Sequence, residues 1–212
     1  MAAHFLGGGR DVLKVYGHPQ TRTFRVLWMV EELGVPYEHE PLRGPDTRKP
    51  EYLKINPNGH VPAIQDGDFV LWESMAINLY LANKHGREKG LWPASLEDQG
   101  RATQWSFWAM TELEPQLMEL LRQRVMLPEA QRNAEAAKAA EEKLVGPLRV
   151  LDAALDGRTH LLGGEFSVAD LNVAAVLSWV RFLRIDLSAV PRVSDWIGRC
   201  LNRPLVRKAQ GR

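Results

Sequence analysis

With 212 residues, 45% of them hydrophobic and 25% charged, the chain has the makeup of an ordinary globule, long enough for one large domain or two small ones. Its 27 basic side chains almost balance its 26 acidic ones, which excludes a strongly basic nucleic-acid or membrane-surface binder and a disordered acidic chain. A single cysteine, Cys200, excludes a disulfide framework, a paired-thiol redox motif and a multi-cysteine metal site.

"MAAHFLGGGR" (1–10) reads as a loose N-terminal extension without the charged start and long apolar middle of a secretory signal, and the chain reads as cytoplasmic. "DVLKVY" (11–16), rich in β-formers and closed by Gly17 and Pro19, predicts a first strand. In "TRTFRVLWMVEELG", Phe24, Leu27, Val30 and Leu33 mark one helical face and Gly34 the stop. "VPYEHEPL" alternates as a second strand, which completes a βαβ unit. After a Pro- and Gly-rich connector with room for a short helix at "EYLK", "VPAIQ" and "DFVLW" form a hairpin turned at Asp66-Gly67. "SMAINLYLANKHG" follows as a helix with Ala76, Ile77, Tyr80 and Leu81 inward.

Beyond the connector at 87–94 the strand signals nearly vanish. A helix begins near Ser95 and runs past Trp105 and Trp108 toward residue 127, bent at Pro115. An alanine-rich helix carries Leu144, Leu148, Leu151 and Leu155 on one stripe, an apolar one spans "SVADLNVAAVLSWVRFL", and a fourth spans "RVSDWIGRCLNRP". The organisation predicted is an α/β thioredoxin-like domain at 11–86 and an all-α bundle at 95–212.

Two stretches carry chemistry. Pro62 cannot donate to a sheet ladder, so it belongs at a strand start or edge, where it leaves the backbone of Val61 free for another partner; on residue type alone its peptide bond reads as trans. Glu73-Ser74 opens a helix, whose first turn attracts anions, so the pair matches a zwitterionic amino-acid head: an acceptor for its ammonium and donors for its carboxylate. The six histidines show no metal-ligand spacing, and no metal is expected.

"HPQTRTFRVLWMVEELGVPYE", "HVPAIQDGDFVLWESMAINLYL" and "FSVADLNVAAVL", in that order, resemble the motifs of the cytosolic glutathione transferase superfamily, in a bacterial-like form of the hydroxyl rather than the cysteine type. The resemblance implies that Glu73 and Ser74 hold the γ-glutamyl end of glutathione, that Val61 pairs its backbone with the cysteinyl part, that Pro62 is cis, and that His60 reaches the glycyl carboxylate or nearby backbone. Ser167 and Asp170 match the N-capping box of the helical domain, a folding role. For the residue that activates the thiol the resemblance offers three candidates, ranked Thr21, at a position where many relatives have serine, then Thr23, then Tyr16. Trp105 and Trp108, with Phe107 and Met110 on the same helix and Trp179 and Phe182 further along, are candidates for the wall of a hydrophobic acceptor pocket. The function implied is conjugation of glutathione, as co-substrate, to a small hydrophobic electrophile by a homodimer that needs no other cofactor. The alternatives are a glutathione-dependent reductase, peroxidase or lyase on the same site, and a non-catalytic binding or assembly module.

Overall fold

The computed structural model describes residues 12–211; the N-terminal extension expected at 1–10 lies outside them. Strand β1 (Leu13–Tyr16), helix α1 (Thr23–Leu33) and strand β2 (Tyr37–Glu40) form the βαβ unit. A 3₁₀ turn at Gly44–Arg48 and helix α2 (Pro50–Leu53) lead to the hairpin β3 (Ala63–Asp66) and β4 (Phe69–Trp72), then helix α3 (Ser74–His85). The sheet order is β2-β1-β3-β4, with β1 and β2 parallel and the other pairs antiparallel. Parallel β1 and β2 need a crossover, which α1 supplies.

Helix α1 is apolar on more than the one face that its three-residue steps predict. Phe24, Leu27, Val30 and Leu33 are buried, and so are Arg25, Val26, Trp28, Met29 and Glu31. The reason is its position: α1 packs against α3 on one side and against the helical domain on another. Along α3, Ile77 and Leu81 are buried as expected, whereas Ala76 is exposed.

The helical domain comprises α4 (Leu96–Trp108), α5 (Glu114–Leu121), α6 (Ala134–Ala154), α7 (Val168–Leu177), α8 (Trp179–Leu183), α9 (Pro191–Leu201) and α10 (Pro204–Ala209). Ser95 caps α4 by accepting the Asp98 N–H at 3.1 Å. The long helix foreseen to residue 127 is interrupted by wide π turns at Ala109–Leu113 and Arg122–Met126. Pro115 sits in the first turn of α5, where its missing N–H breaks the regular ladder just after the first π turn. The apolar third helix divides at Ser178 into α7 and α8.

Every residue of α7 is buried. Asp170 accepts the Ser167 N–H at 3.1 Å, the capping arrangement expected of this pair, and also the Leu161 N–H at 2.8 Å and the Trp196 indole N–H at 2.9 Å. One carboxylate thus ties the start of α7 to a preceding loop and to α9. Helix α10 was not foreseen. It lies against α1, and Arg203 just ahead of it grips Glu32 with two bonds at 2.6 and 2.7 Å.

Candidate active site

A cavity of about 740 Å³ opens between the sheet domain and the helical domain. Its sheet-side wall includes Thr21, His60, Val61, Pro62, Glu73 and Ser74, and its helical wall Met110, Met118, Leu121, Met126 and Trp179. Glu73 is the one acid in the lining, against Arg22 and Arg43.

The β1–α1 turn sets the first part. Gly17 has φ 124°, and a Cβ there would lie 2.1 Å from Thr23 Oγ1 and 2.7 Å from Val61 Cβ. Only glycine lets the end of β1, the start of α1 and Val61 converge. Thr21 stands two residues ahead of α1, half-buried and on the cavity wall. Its hydroxyl donates to the His18 carbonyl at 2.7 Å. A hydroxyl has one proton, so across the 2.9 Å contact between the threonines it is Thr23 that donates to Thr21.

The other two hydroxyls expected as candidates stand off the wall. Thr23 is fully buried in the first turn of α1 and is absent from the lining, because it turns inward toward Thr21 and Gly17. Tyr16 is also buried, packs against Tyr52 with ring centroids 6.0 Å apart, and donates to Gln65 Oε1 at 3.1 Å. Burial pushes its phenol above the ordinary range, with nearby Glu40 adding to the effect. Of the three hydroxyls, Thr21 alone borders the cavity.

Strand pairing begins at Ala63, so Val61 lies outside the ladder, and the Val61–Pro62 bond is cis. The His60 carbonyl accepts from the Tyr52 hydroxyl at 2.6 Å and the Asn56 amide at 2.7 Å, which fixes the path of the loop while the residue itself stays exposed. Glu73 is exposed and holds φ 74° and ψ 114°, a backbone conformation that side chains other than glycine rarely adopt. Ser74 is the first residue of α3 and is buried; its Oγ accepts from Arg25 Nη1 at 3.3 Å. The cap position belongs to Glu73, whose side chain makes no capping bond, so Ser74 is not the helix cap that its position suggests.

Of the residues expected on the acceptor wall, Met110 and Trp179 line the cavity and the others do not. Trp105 and Trp108 pack edge to face on each other, 5.0 Å between centroids, and lie outside the cavity lining. The π turn that follows them rotates the helix, so that Met110, rather than either tryptophan, meets the cavity.

Sequence reasoning missed a buried charge cluster. Arg25, on α1, forms an ion pair with Glu114, at the start of α5, and Arg22 Nε also reaches Glu114 at 2.5 Å. The Arg25 and Glu114 side chains are 2% and 6% exposed. A lone arginine inside "TFRVLWMV" is the available signal, since arginine is almost never buried without a partner. Nothing local indicates which acid that partner is.

Among the described residues, no group of His, Cys, Asp and Glu could hold a metal ion, and no helix is long and apolar enough to cross a membrane. Cys200 is buried on α9, and burial raises its thiol well above the usual range.

This geometry agrees with what the chain is similar to. It matches the family models for the "Glutathione S-transferase, N-terminal domain" over residues 11–83 and the "Glutathione S-transferase, C-terminal domain" over residues 113–204. It is 32% identical over 193 residues to Glutathione S-transferase GstB of Escherichia coli (strain K12), covering 89% of this chain and 92% of that protein. It is 36% identical over 167 residues to Glutathione S-transferase F9 of Arabidopsis thaliana, covering 76% and 77%. The theta class glutathione S-transferase of Xanthomonas axonopodis pv. citri, solved with glutathione bound, superimposes with a TM-score of 0.86 at 29% identity, covering 93% of this chain and 96% of that one. The chain belongs to the glutathione S-transferase family.

Proposed function

We propose that this protein is a glutathione transferase that joins the thiolate of glutathione to a hydrophobic electrophile in the interdomain cavity. The observation that carries the reading is the composition of that one cavity: a hydroxyl at the α1 turn, a Glu-Ser pair at the α3 turn and an apolar wall of methionines. Glutathione carries two carboxylates and one ammonium, and the lining offers Arg22 and Arg43 against the single acid Glu73. Glu73 takes the ammonium, Ser74 and the first N–H groups of α3 take the γ-glutamyl carboxylate, Val61 pairs with the cysteinyl backbone beside Pro62, and His60 attends the glycyl end.

A thiol of pKa about 8.5 is mostly protonated at neutral pH. Thr21 lowers that value by turning its hydroxyl proton from the His18 carbonyl to the sulfur, aided by the positive end of α1. Thr23 keeps donating to Thr21 and so strengthens it as a donor. The electrophile lies against Met110, Met118 and Trp179. The lining holds no cysteine, and the buried Cys200 is far from thiolate character, which favours a sulfur carried by the ligand over an enzyme thiol. Such chemistry suits detoxification in the cytoplasm.

The test is Thr21→Val. Glutathione affinity by calorimetry is expected to change little, while the pKa of the bound thiol, followed by its thiolate absorbance, rises by about 1 unit, equivalent to about 1.4 kcal/mol. A titration like the parent's for Thr21→Val, together with a shifted one for Tyr16→Phe, overturns the assignment.

A further inference from the structure

A serine hydroxyl offers one proton and two acceptor sites, whereas a guanidinium only donates. Arg25 Nη1, 3.3 Å from Ser74 Oγ, therefore occupies an acceptor site of the serine and leaves the hydroxyl proton for another group. Arg25 itself is absent from the cavity lining, while Ser74 is part of it. Among the described residues no protein group accepts the Ser74 hydroxyl proton, and the cavity that Ser74 lines is where an acceptor can enter.

Arg25 is also held in place. Its carbonyl accepts from the Asn78 amide at 3.2 Å, one turn along α3 from Ser74, and Nη2 pairs with Glu114 on α5. Its guanidinium carbon lies 6.0 Å from the Trp179 ring centroid on α8. One buried cation thus joins α1, α3 and the helical domain behind the serine. Glu114 is shared between Arg22 and Arg25, and Glu73 at the mouth of α3 is a second acid within electrostatic reach of Arg25.

We propose that Arg25 is the positioning residue for the carboxylate of the γ-glutamyl group: it orients Ser74 as a hydrogen-bond donor into the cavity and fixes α3 against α5 through Glu114, without touching the ligand. This rests on the reading of the cavity as a glutathione site. A neighbouring guanidinium makes the hydroxyl a stronger donor, and a stronger donor favours an anion over a neutral group at that position.

The experiment compares two ligands by calorimetry on the full chain: glutathione, and 4-aminobutanoyl-cysteinyl-glycine, which lacks only the carboxylate in question. The parent is expected to bind glutathione at least about tenfold more tightly. Combining Arg25→Met with Glu114→Gln removes the pair without stranding one buried charge. That variant is expected to lose about tenfold for glutathione and less than about twofold for the truncated peptide, so that the gap closes. Equal loss for both ligands, or no loss for either, overturns the role. If the double variant fails to fold, Arg25→Lys keeps the charge but loses the fork, and an affinity loss of about threefold confined to glutathione is expected; an equal loss for both ligands again overturns it. A parent that binds neither peptide defeats the glutathione reading itself, and that failure is seen before any substitution is made.

Discussion

Glu73 occupies a backbone conformation that costs about 1–3 kcal/mol for a side chain other than glycine. Glycine at that position would relieve most of this, offset in part by the greater freedom it gives the unfolded chain. Glu73→Gly is therefore expected to raise the melting temperature, with a gain of about 1 kcal/mol, while glutathione affinity falls about tenfold as the ammonium loses its partner. A variant less stable than the parent would show that the turn is not strained. The two expected changes together would mean that fold stability and ligand capture compete at this residue. The glutamate's place on the cavity wall was legible in the sequence because its signal is local: an acid beside a hydroxyl at the mouth of a helix. Arg25 was not, because its partner Glu114 lies 89 positions away. Thr23 and Tyr16 were placed in the right region, but side-chain direction within a turn or a strand depends on φ and χ angles that spacing does not encode.

The two π turns explain what was misread in the long helix. Each widens the ladder and shifts the helical phase, so residues counted onto one face by a period of 3.6 arrive on another. Trp105 and Trp108 consequently pack on each other, and Met110, Met118 and Met126 line the cavity instead. Unbranched thioethers adapt to the shape of what lies against them. Substitution of Met118 by lysine is expected to raise KM for a chlorinated aromatic acceptor about tenfold or more, through the cost of burying the ammonium or losing apolar contact, with the glutathione Kd unchanged. If both constants change together, that wall is not a separate acceptor surface. Other elements were easier to read. The hairpin at Asp66-Gly67 and the helix from Ser74 follow from turn chemistry and apolar period, and both occur where those signals end. Helix α10 was missed because the proline at its start reads equally well as a stop.

At the scale of the whole molecule, the sheet domain and the helical domain share a core that runs through α1, α3, α4 and α7. A buried polar chain crosses it: the Asn78 amide donates to Asn172 Oδ1 at 2.7 Å, and the Asn172 amide to Ser106 Oγ at 2.8 Å. Exposed apolar rings remain on both domains, Phe69 (46%) and Trp72 (38%) on β4 and Phe107 (67%) on α4. A homodimer that brings β4 of one protomer to α4 of its partner would cover them. Sedimentation equilibrium is expected to give twice the 24.0 kDa chain mass, and Phe107→Glu to lower it toward one chain; a monomeric parent would sink this arrangement. The two-domain order was readable because composition changes sharply from strand formers to alanine and leucine. The exposed rings were not, since only three-dimensional exposure tells a surface ring from a core one.

Cys200, buried on α9 with 1% of its surface exposed, bears on the hazards of handling electrophiles. Reagents seeking soft nucleophiles find no protein sulfhydryl within reach on the native molecule, and its methionines are far weaker targets at neutral pH. In the proposed conjugation a replaceable tripeptide is consumed at each turnover, while the protein's own sulfhydryl stays out of the electrophile's reach.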